Sequence, residues 1–241
     1  MIYLIWAFDY SEASAGPKAL HRLCHELNEA GQKAYIGPHS VINPEWNTPV
    51  WPSDDMPEGD WVAVYPEIIW GNPWDAPFVA RWVLNVPGKL GGQKNYAPGE
   101  MVFAWDHAFL ADVPLLFLPT IDTEVYVDRH ESRGGELFYV GKGVQGYTAE
   151  ARPITLTMRE SRRVLADALN HATLLRSFDD VSGMVDLALL CGCPVLLPSG
   201  QLMQPGEETY RARCSESKAQ LEEFIWITQQ VPRYVMSGGC T

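Results

Sequence analysis

The chain has 241 residues, 46% of them apolar, enough to bury one large core or two smaller ones. Its 30 Asp and Glu against 18 Lys and Arg give a formal net charge of -12, which excludes a general attraction to phosphate polymers or anionic membranes and leaves only a local basic patch for such contacts. The five cysteines are odd in number and irregularly spaced, so reduced thiols are expected; Cys191-Gly-Cys193 matches neither a zinc knuckle nor a C-x-x-C redox motif.

Met1 to Phe8 is apolar, lacks a basic leader and runs at once into Asp9 and Glu12, so it reads as a first core strand over Ile2 to Phe8 and not as a signal peptide. No run approaches the ~18 apolar residues that span a bilayer. The expectation is a soluble, cytoplasmic protein. After the small-residue turn DYSEASAGP, apolar residues Ala19, Leu20, Leu23, Cys24 and Leu27 recur at three and four, predicting a helix stopped by Gly31. Lys33 to Ile36 then reads as a second strand, which makes a parallel βαβ start the economical reading. Pro38 to Gly59 has no period and reads as an irregular excursion. Trp61 to Tyr65 predicts a strand, Ala76 to Trp82 a short helix, and Trp82 to Val86, Met101 to Trp105 and Pro114 to Leu118 further strands.

Thr120 to Gly135 turns polar, and its DRHESRGG string reads as a linker or exposed loop. The pattern restarts with strands at Leu137 to Val140 and Ile154 to Leu156, a helix from Glu160 to His171 and a strand from Leu174 to Phe178. Ser182 is placed to cap a helix ending near Leu190, Gly192 and Pro194 cut that helix before another short strand, and Ser217 to Gln230 predicts a last helix. The fold class is therefore α/β, with two Rossmann-like halves, residues 1–130 and residues 131–241, facing each other across a cleft.

Several positions carry chemistry. The loop with Ser14, Ala15 and Gly16, and that with Gly141, Lys142 and Gly143, would point into such a cleft; glycines admit a close backbone approach and Lys142 can neutralise a phosphate. The N–H groups of Gly183 and Met184, with Ser182, form a helix start suited to an anion. Acid/base candidates are Asp9, Glu12, His21, His25, Glu67, Asp106 and His107; Asp106-His107 ranks first because it ends a strand. Trp70, Trp74 and Trp82 are candidates for stacking on a sugar or base, beside the ordinary role of tryptophan in packing.

YVGKG at 139–143 and SFDDVSGMVDLALLCGCPVLLP at 177–198, together with DYSEASAGPKALHRLCHELNEAGQKAYI at 9–36, VYPEIIWGNP and ARWVLNVPG, resemble the two-domain nucleotide-sugar glycosyltransferases of GT-B architecture, especially bacterial and phage members with the CGCPV turn. The resemblance implies sugar transfer from a nucleotide-sugar co-substrate, UDP-linked, with the nucleotide on the C-terminal half and the acceptor mainly on the N-terminal half. For a phage protein the location would be the host cytoplasm. The implied donor set is Gly141, Lys142, Gly143, Asp179, Ser182, Gly183 and Met184. Arg159, Arg162, Arg163 and Arg176 would add positive charge for the departing diphosphate.

No Asp-x-Asp motif is present, so no metal and no further cofactor are expected. The family's two acidic residues stand eight apart: the first falls on Asp179, the second on Leu187, with Asp186 about 100° round the helix. Acceptors consistent with the resemblance are a glycan, a small molecule or a hydroxymethylated DNA base. The alternative reading is a nucleotide or nucleotide-sugar binding module that has lost the chemistry.

Overall fold

The computed structural model describes residues 1–37, 41–141, 145–179, 182–206 and 210–236, with 231–236 described by their backbone alone. The chain forms two compact units: unit 1 comprises Met1–Tyr10, Gly16–Pro119 and the residues from Cys214 on, and unit 2 comprises Ser11–Ala15 and Thr120–Arg213.

Unit 1 is built on β1 (Ile2–Ile5), α1 (Ala15–Glu29), β2 (Lys33–Ile36), β3 (Trp61–Pro66), β4 (Phe78–Val83) and β5 (Met101–Ala104). The strands pair in the order β2-β1-β3-β4-β5, all parallel. Such a sheet needs cover on both faces, and the strands supply apolar residues to each. Tyr3, Ile5, Val62 and Val64 meet Leu20, Leu23 and Leu27 of α1 on one side, while Leu4, Trp61, Ala63 and Tyr65 form a second cluster with Ala76 and Val79.

Two expectations are corrected here. Ala76 to Trp82 is not a helix: Phe78–Val83 is the strand β4, held between β3 and β5 and almost wholly buried. A strand covered on both faces loses the alternation that marks it in sequence, and its run of apolar residues then resembles a short helix. Pro114 to Leu118 is not a strand of the sheet: it meets it through an isolated bridge between Leu115 and Ala104 and a bond from Trp82 Nε1–H to the Leu116 carbonyl at 2.9 Å.

Unit 2 contains β6 (Glu136–Tyr139), β7 (Arg152–Pro153), α2 (Leu156–Arg159), α3 (Arg162–His171), β8 (Leu174–Ser177), α4 (Gly183–Leu190), β9 (Val195–Leu196) and β10 (Leu202–Met203). Their order is β10-β9-β8-β6-β7, parallel except for the pairing of β10 with β9. The strand expected at Ile154 to Leu156 lies earlier, at β7, because Thr155 caps α2 by accepting a bond from the Met158 N–H. Of the two readings of DRHESRGG, linker or exposed loop, the second describes it: the segment lies within unit 2, has no helix or strand and is largely exposed, and its arginines tie it to the rest of the unit. Arg133 donates to Asp128 at 3.0 Å and to the carbonyls of Cys191, Leu169 and Ala172 at 2.8 to 3.1 Å, and the buried Asn170 accepts from the Arg129 N–H at 2.8 Å. Gly192 has φ +72, and a Cβ there would collide with Asp128 and Arg133, so the CGC turn requires its glycine.

The compact units differ from the sequence division at residue 130 in three places: the change falls at 119/120, Ser11–Ala15 belongs with unit 2, and the last helix, α5 (Tyr210–Met236), belongs with unit 1 from Cys214 on. For α5 the physical reason is burial. Phe224 is 0% exposed between Tyr3 and Phe103, Thr228 bonds Tyr3 at 2.9 Å, and Gln220 accepts from the Phe117 N–H at 2.8 Å. Among the described residues no helix is long and apolar enough to cross a membrane.

Phe224→Ala should lower unfolding free energy by about 3–5 kcal/mol, read by urea denaturation, because it empties a fully buried aromatic site on the first strand of unit 1. A pH effect is expected from His21, which is buried in α1. Its Nε2–H donates to the Phe8 carbonyl at 2.9 Å, and Nδ1 has no hydrogen-bond partner among the described residues. Burial holds this imidazole below its ordinary value of 6.5, against the opposing pull of the Phe8 carbonyl and Asp9. The unfolded chain therefore binds the proton more readily. The stability contributed by neutral His21 is complete above that value and is lost as pH falls below it, so the urea midpoint should drop between about pH 7.5 and about pH 5.5, less steeply in His21→Gln.

Candidate functional site

In each sheet the chain leaves the first strand to one side and later returns to its other side. This places a topological switch point between β6 and β8 in unit 2 and between β1 and β3 in unit 1. Ligands of open parallel sheets bind outside the carboxyl ends of the strands at such points. In unit 2 the residues there are Gly141, two past β6, and Asp179, two past β8.

These two residues fit together. Asp179 is 9% exposed, and its carboxylate lies against Gly141 where a Cβ would stand. One hydroxyl fixes the backbone of Asp179: Ser177 Oγ donates to its carbonyl at 2.7 Å and accepts from its N–H at 3.2 Å. Lys142 and Gly143, predicted beside Gly141, lie outside the described residues, as does Asp180.

Ser182 caps α4 as predicted from its position, with an extended backbone and its Oγ accepting from the Met184 N–H at 3.2 Å. The Met184 side chain is buried and its N–H is engaged by this cap, while Gly183 is exposed at the helix start. Leu187 and Asp186 are both half-buried on α4, so the position where the resemblance expects a second carboxylate carries an aliphatic side chain.

The loop Ser11–Ala15, with the predicted Ser14 and Ala15, clusters with unit 2, whereas Gly16 begins the next stretch of unit 1. Ser11 Oγ donates to Glu160 at 3.1 Å, and Arg159 donates to the Ala13 carbonyl at 3.2 Å. Arg159 also lies over the Tyr139 ring at 5.6 Å, at the carboxyl end of β6. Of the arginines proposed for a diphosphate, Arg159 is the one beside this end of the sheet. Arg176 pairs with Glu136 at 2.6 Å, and Arg162 lies near Glu12 and Asp122.

The structure separates Asp106 and His107 from the unit 1 switch point. They follow β5, the edge strand, and serve a turn: Asp106 Oδ1 accepts from the Ala108 N–H at 2.9 Å, and exposed His107 contacts the Val113 carbonyl through Nε2 at 3.2 Å. The carboxylate at the switch point is Glu67, immediately after β3 and 4% exposed, with Oε2 accepting from the Leu84 N–H at 2.9 Å. Burial raises its carboxyl above the ordinary range, while the Leu84 bond and Arg81 oppose that rise. Its sequence signal was the string YPE ending a buried strand, which ranked lower than a His-containing pair.

Among the described residues, Glu131, Asp167 and His171 bring ligand atoms within 4.8 Å of one another. Arg129 lies 3.5 Å from Glu131 and 3.1 Å from Asp167, so this exposed cluster already carries its own counter-charge. A hollow of about 810 Å³ lined by Asp122, Val127, Arg163 and Val164 among others includes Arg163, one of the arginines proposed for a diphosphate, and none of Gly141, Asp179, Ser182, Gly183 or Met184.

Gly141→Ala should destabilise unit 2 by about 1–3 kcal/mol, measured by thermal or urea unfolding, because the new methyl needs the space of the Asp179 carboxylate; Gly183→Ala, with open space at its Cβ position, should stay within about 1 kcal/mol of the parent. Comparison with models of known protein families gives no match for this chain, and comparison with curated proteins gives none.

Proposed function

We propose that this chain is a glycosyltransferase that moves a sugar from a nucleotide-sugar donor to an acceptor hydroxyl, with the donor held at the carboxyl ends of β6 and β8. The observation that supports it most directly is the Asp179 carboxylate seated against Gly141 at a switch point, the position the resemblance assigns to the donor sugar. In the reaction the acceptor oxygen attacks the anomeric carbon, the bond from that carbon to the diphosphate oxygen breaks, and the nucleoside diphosphate departs with the bonding electrons. The hydroxyl proton passes to a base or to water. Arg159, Lys142 and the α4 start would stabilise the departing charge. Glu67 suits the acid/base role better than Asp106 or His107, because it directly follows β3, a strand of the switch point, whereas they follow the edge strand and serve a turn. The facing of two domains across a cleft belongs to this same proposal, as do a UDP-linked donor and a cytoplasmic setting.

Leu187 favours a second reading, in which the chain binds a nucleotide or nucleotide sugar without turning it over. Release of nucleoside diphosphate from a panel of nucleotide sugars, measured with free sugars and with hydroxymethylated DNA as acceptors, separates the two. Transfer should occur in the parent and fall by roughly 100-fold or more in Asp179→Asn, with unchanged circular dichroism. Thermal stabilisation by a nucleotide, with no diphosphate released from any donor, would establish the second reading instead.

A further inference from the structure

The loop that leaves β3 at the unit 1 switch point presents one tryptophan to solvent. Trp70 is 70% exposed, whereas Trp61 and Trp82 of the same sheet are buried. Single exposed aromatics are common. This one differs in how its backbone is held. The carbonyls on both sides of it, Ile69 O and Gly71 O, accept from the two terminal nitrogens of Arg81 at 2.8 Å each. Arg81 is itself 0% exposed, paired with Glu100 at 3.0 Å and flanked by the rings of Tyr65 and Tyr96. The Gly71 N–H donates to Gln93 at 2.9 Å, and Asn72 accepts from Tyr65 Oη at 3.0 Å and from the Ala76 N–H at 3.0 Å. The peptide groups around Trp70 are thus fixed from below, and the indole projects from a preformed loop.

We propose that Trp70 is a stacking platform for the C–H face of a neutral sugar ring. An aromatic face carried on a held backbone binds such a ring without first losing loop freedom. The guanidinium under the loop is spent on carbonyls and Glu100, so it offers no charge to a phosphate, and the chain carries a net charge of -12. The polar group beside the loop is the neutral Gln93 amide, which can hydrogen-bond a hydroxyl; Lys94 lays its stem against Gly88. The loop follows the carboxyl end of β3, the end at which a parallel sheet takes its ligands, and is anchored on the β4 side by Arg81 and Gln93. The platform rests on the transferase reading only for the further statement that this sugar is the acceptor.

The test uses the full chain with ¹⁵N-labelled indoles and no donor. Of the nine tryptophans, Trp70→Phe identifies the Trp70 Nε1–H resonance. Titration with cellohexaose and with maltohexaose should shift that resonance saturably for at least one of them, and Trp70→Ala should weaken that binding roughly tenfold or more while Trp70→Phe keeps most of it. No shift with either sugar, or equal affinity in Trp70→Ala, overturns the platform. A shift produced by oligothymidylate and not by the sugars, weakening as salt rises, also overturns it in favour of a nucleobase. Diphosphate release is assayed separately on the same preparations. Sugar binding without turnover supports the platform and counts against transfer, whereas turnover without sugar binding at Trp70 does the reverse.

Discussion

Parallel strand pairing is the constraint on which the rest of both units depends. A parallel strand cannot be reached by a tight turn, so each new strand requires a crossover, and the crossovers must cover the sheet. In both units the first strand ends up inside the sheet, with its second strand on one side and a later strand on the other. At the carboxyl ends of those central strands the two loops diverge. Asp179 and Gly141 follow the strands of that position in unit 2, and Glu67 follows β3 in unit 1. The same geometry relegates Asp106 and His107 to the edge of the unit 1 sheet, where their hydrogen bonds serve a turn.

Arg81 shows what a charge does when the sheet buries it. Its side chain leaves β4, every residue of which is covered or nearly so, and an uncompensated guanidinium there would be strongly unfavourable. Compensation comes from one carboxylate and three backbone carbonyls, those of Pro66, Ile69 and Gly71. A fully exposed loop would leave such carbonyls to water. Here they turn inward, and three of the carbonyls between Pro66 and Gly71 are held by one guanidinium. The order of the Trp70 loop thus follows from a charge placed in a buried strand, and the exposed indole is the outward face of a buried polar network.

Helix α1 was legible because its apolar spacing is a local signal, and β1, β2 and β3 because short apolar runs are bounded by turn residues. The Ser182 cap was legible for the same reason, since a cap involves neighbours in sequence. Strand β4 was not, because burial on both faces erases the period that identifies a half-buried strand. The segment from Asp128 to Arg133 reads as a linker or exposed loop; that it is tied down is not legible, because its partners, Leu169, Ala172 and Cys191, lie far along the chain. The return of α5 to unit 1 was hidden in the same way: Phe224 and Thr228 are spaced for a helix, and nothing local states that the surface they cover is that of Tyr3 and Phe103. For the candidate site, the sequence singled out Asp179 and Gly141 separately but contained no sign that they touch.

That contact links the two residues physically. Ser177 fixes both backbone groups of Asp179, so the direction of the carboxylate follows from the end of β8, and it points into the space that the end of β6 leaves free. A side chain on residue 141 and an acidic group on residue 179 would compete for one volume. The glycine is therefore best understood as room for the carboxylate, in addition to any approach it allows to a ligand's backbone-bound phosphate. Leu187 has no such counterpart: it lies one full α4 turn beyond Gly183 and presents a half-buried aliphatic chain. In a transferase of this form the sugar end of the donor would meet a built carboxylate, while the ribose would have to be held by groups other than Leu187, because a leucine cannot accept its hydroxyl hydrogens.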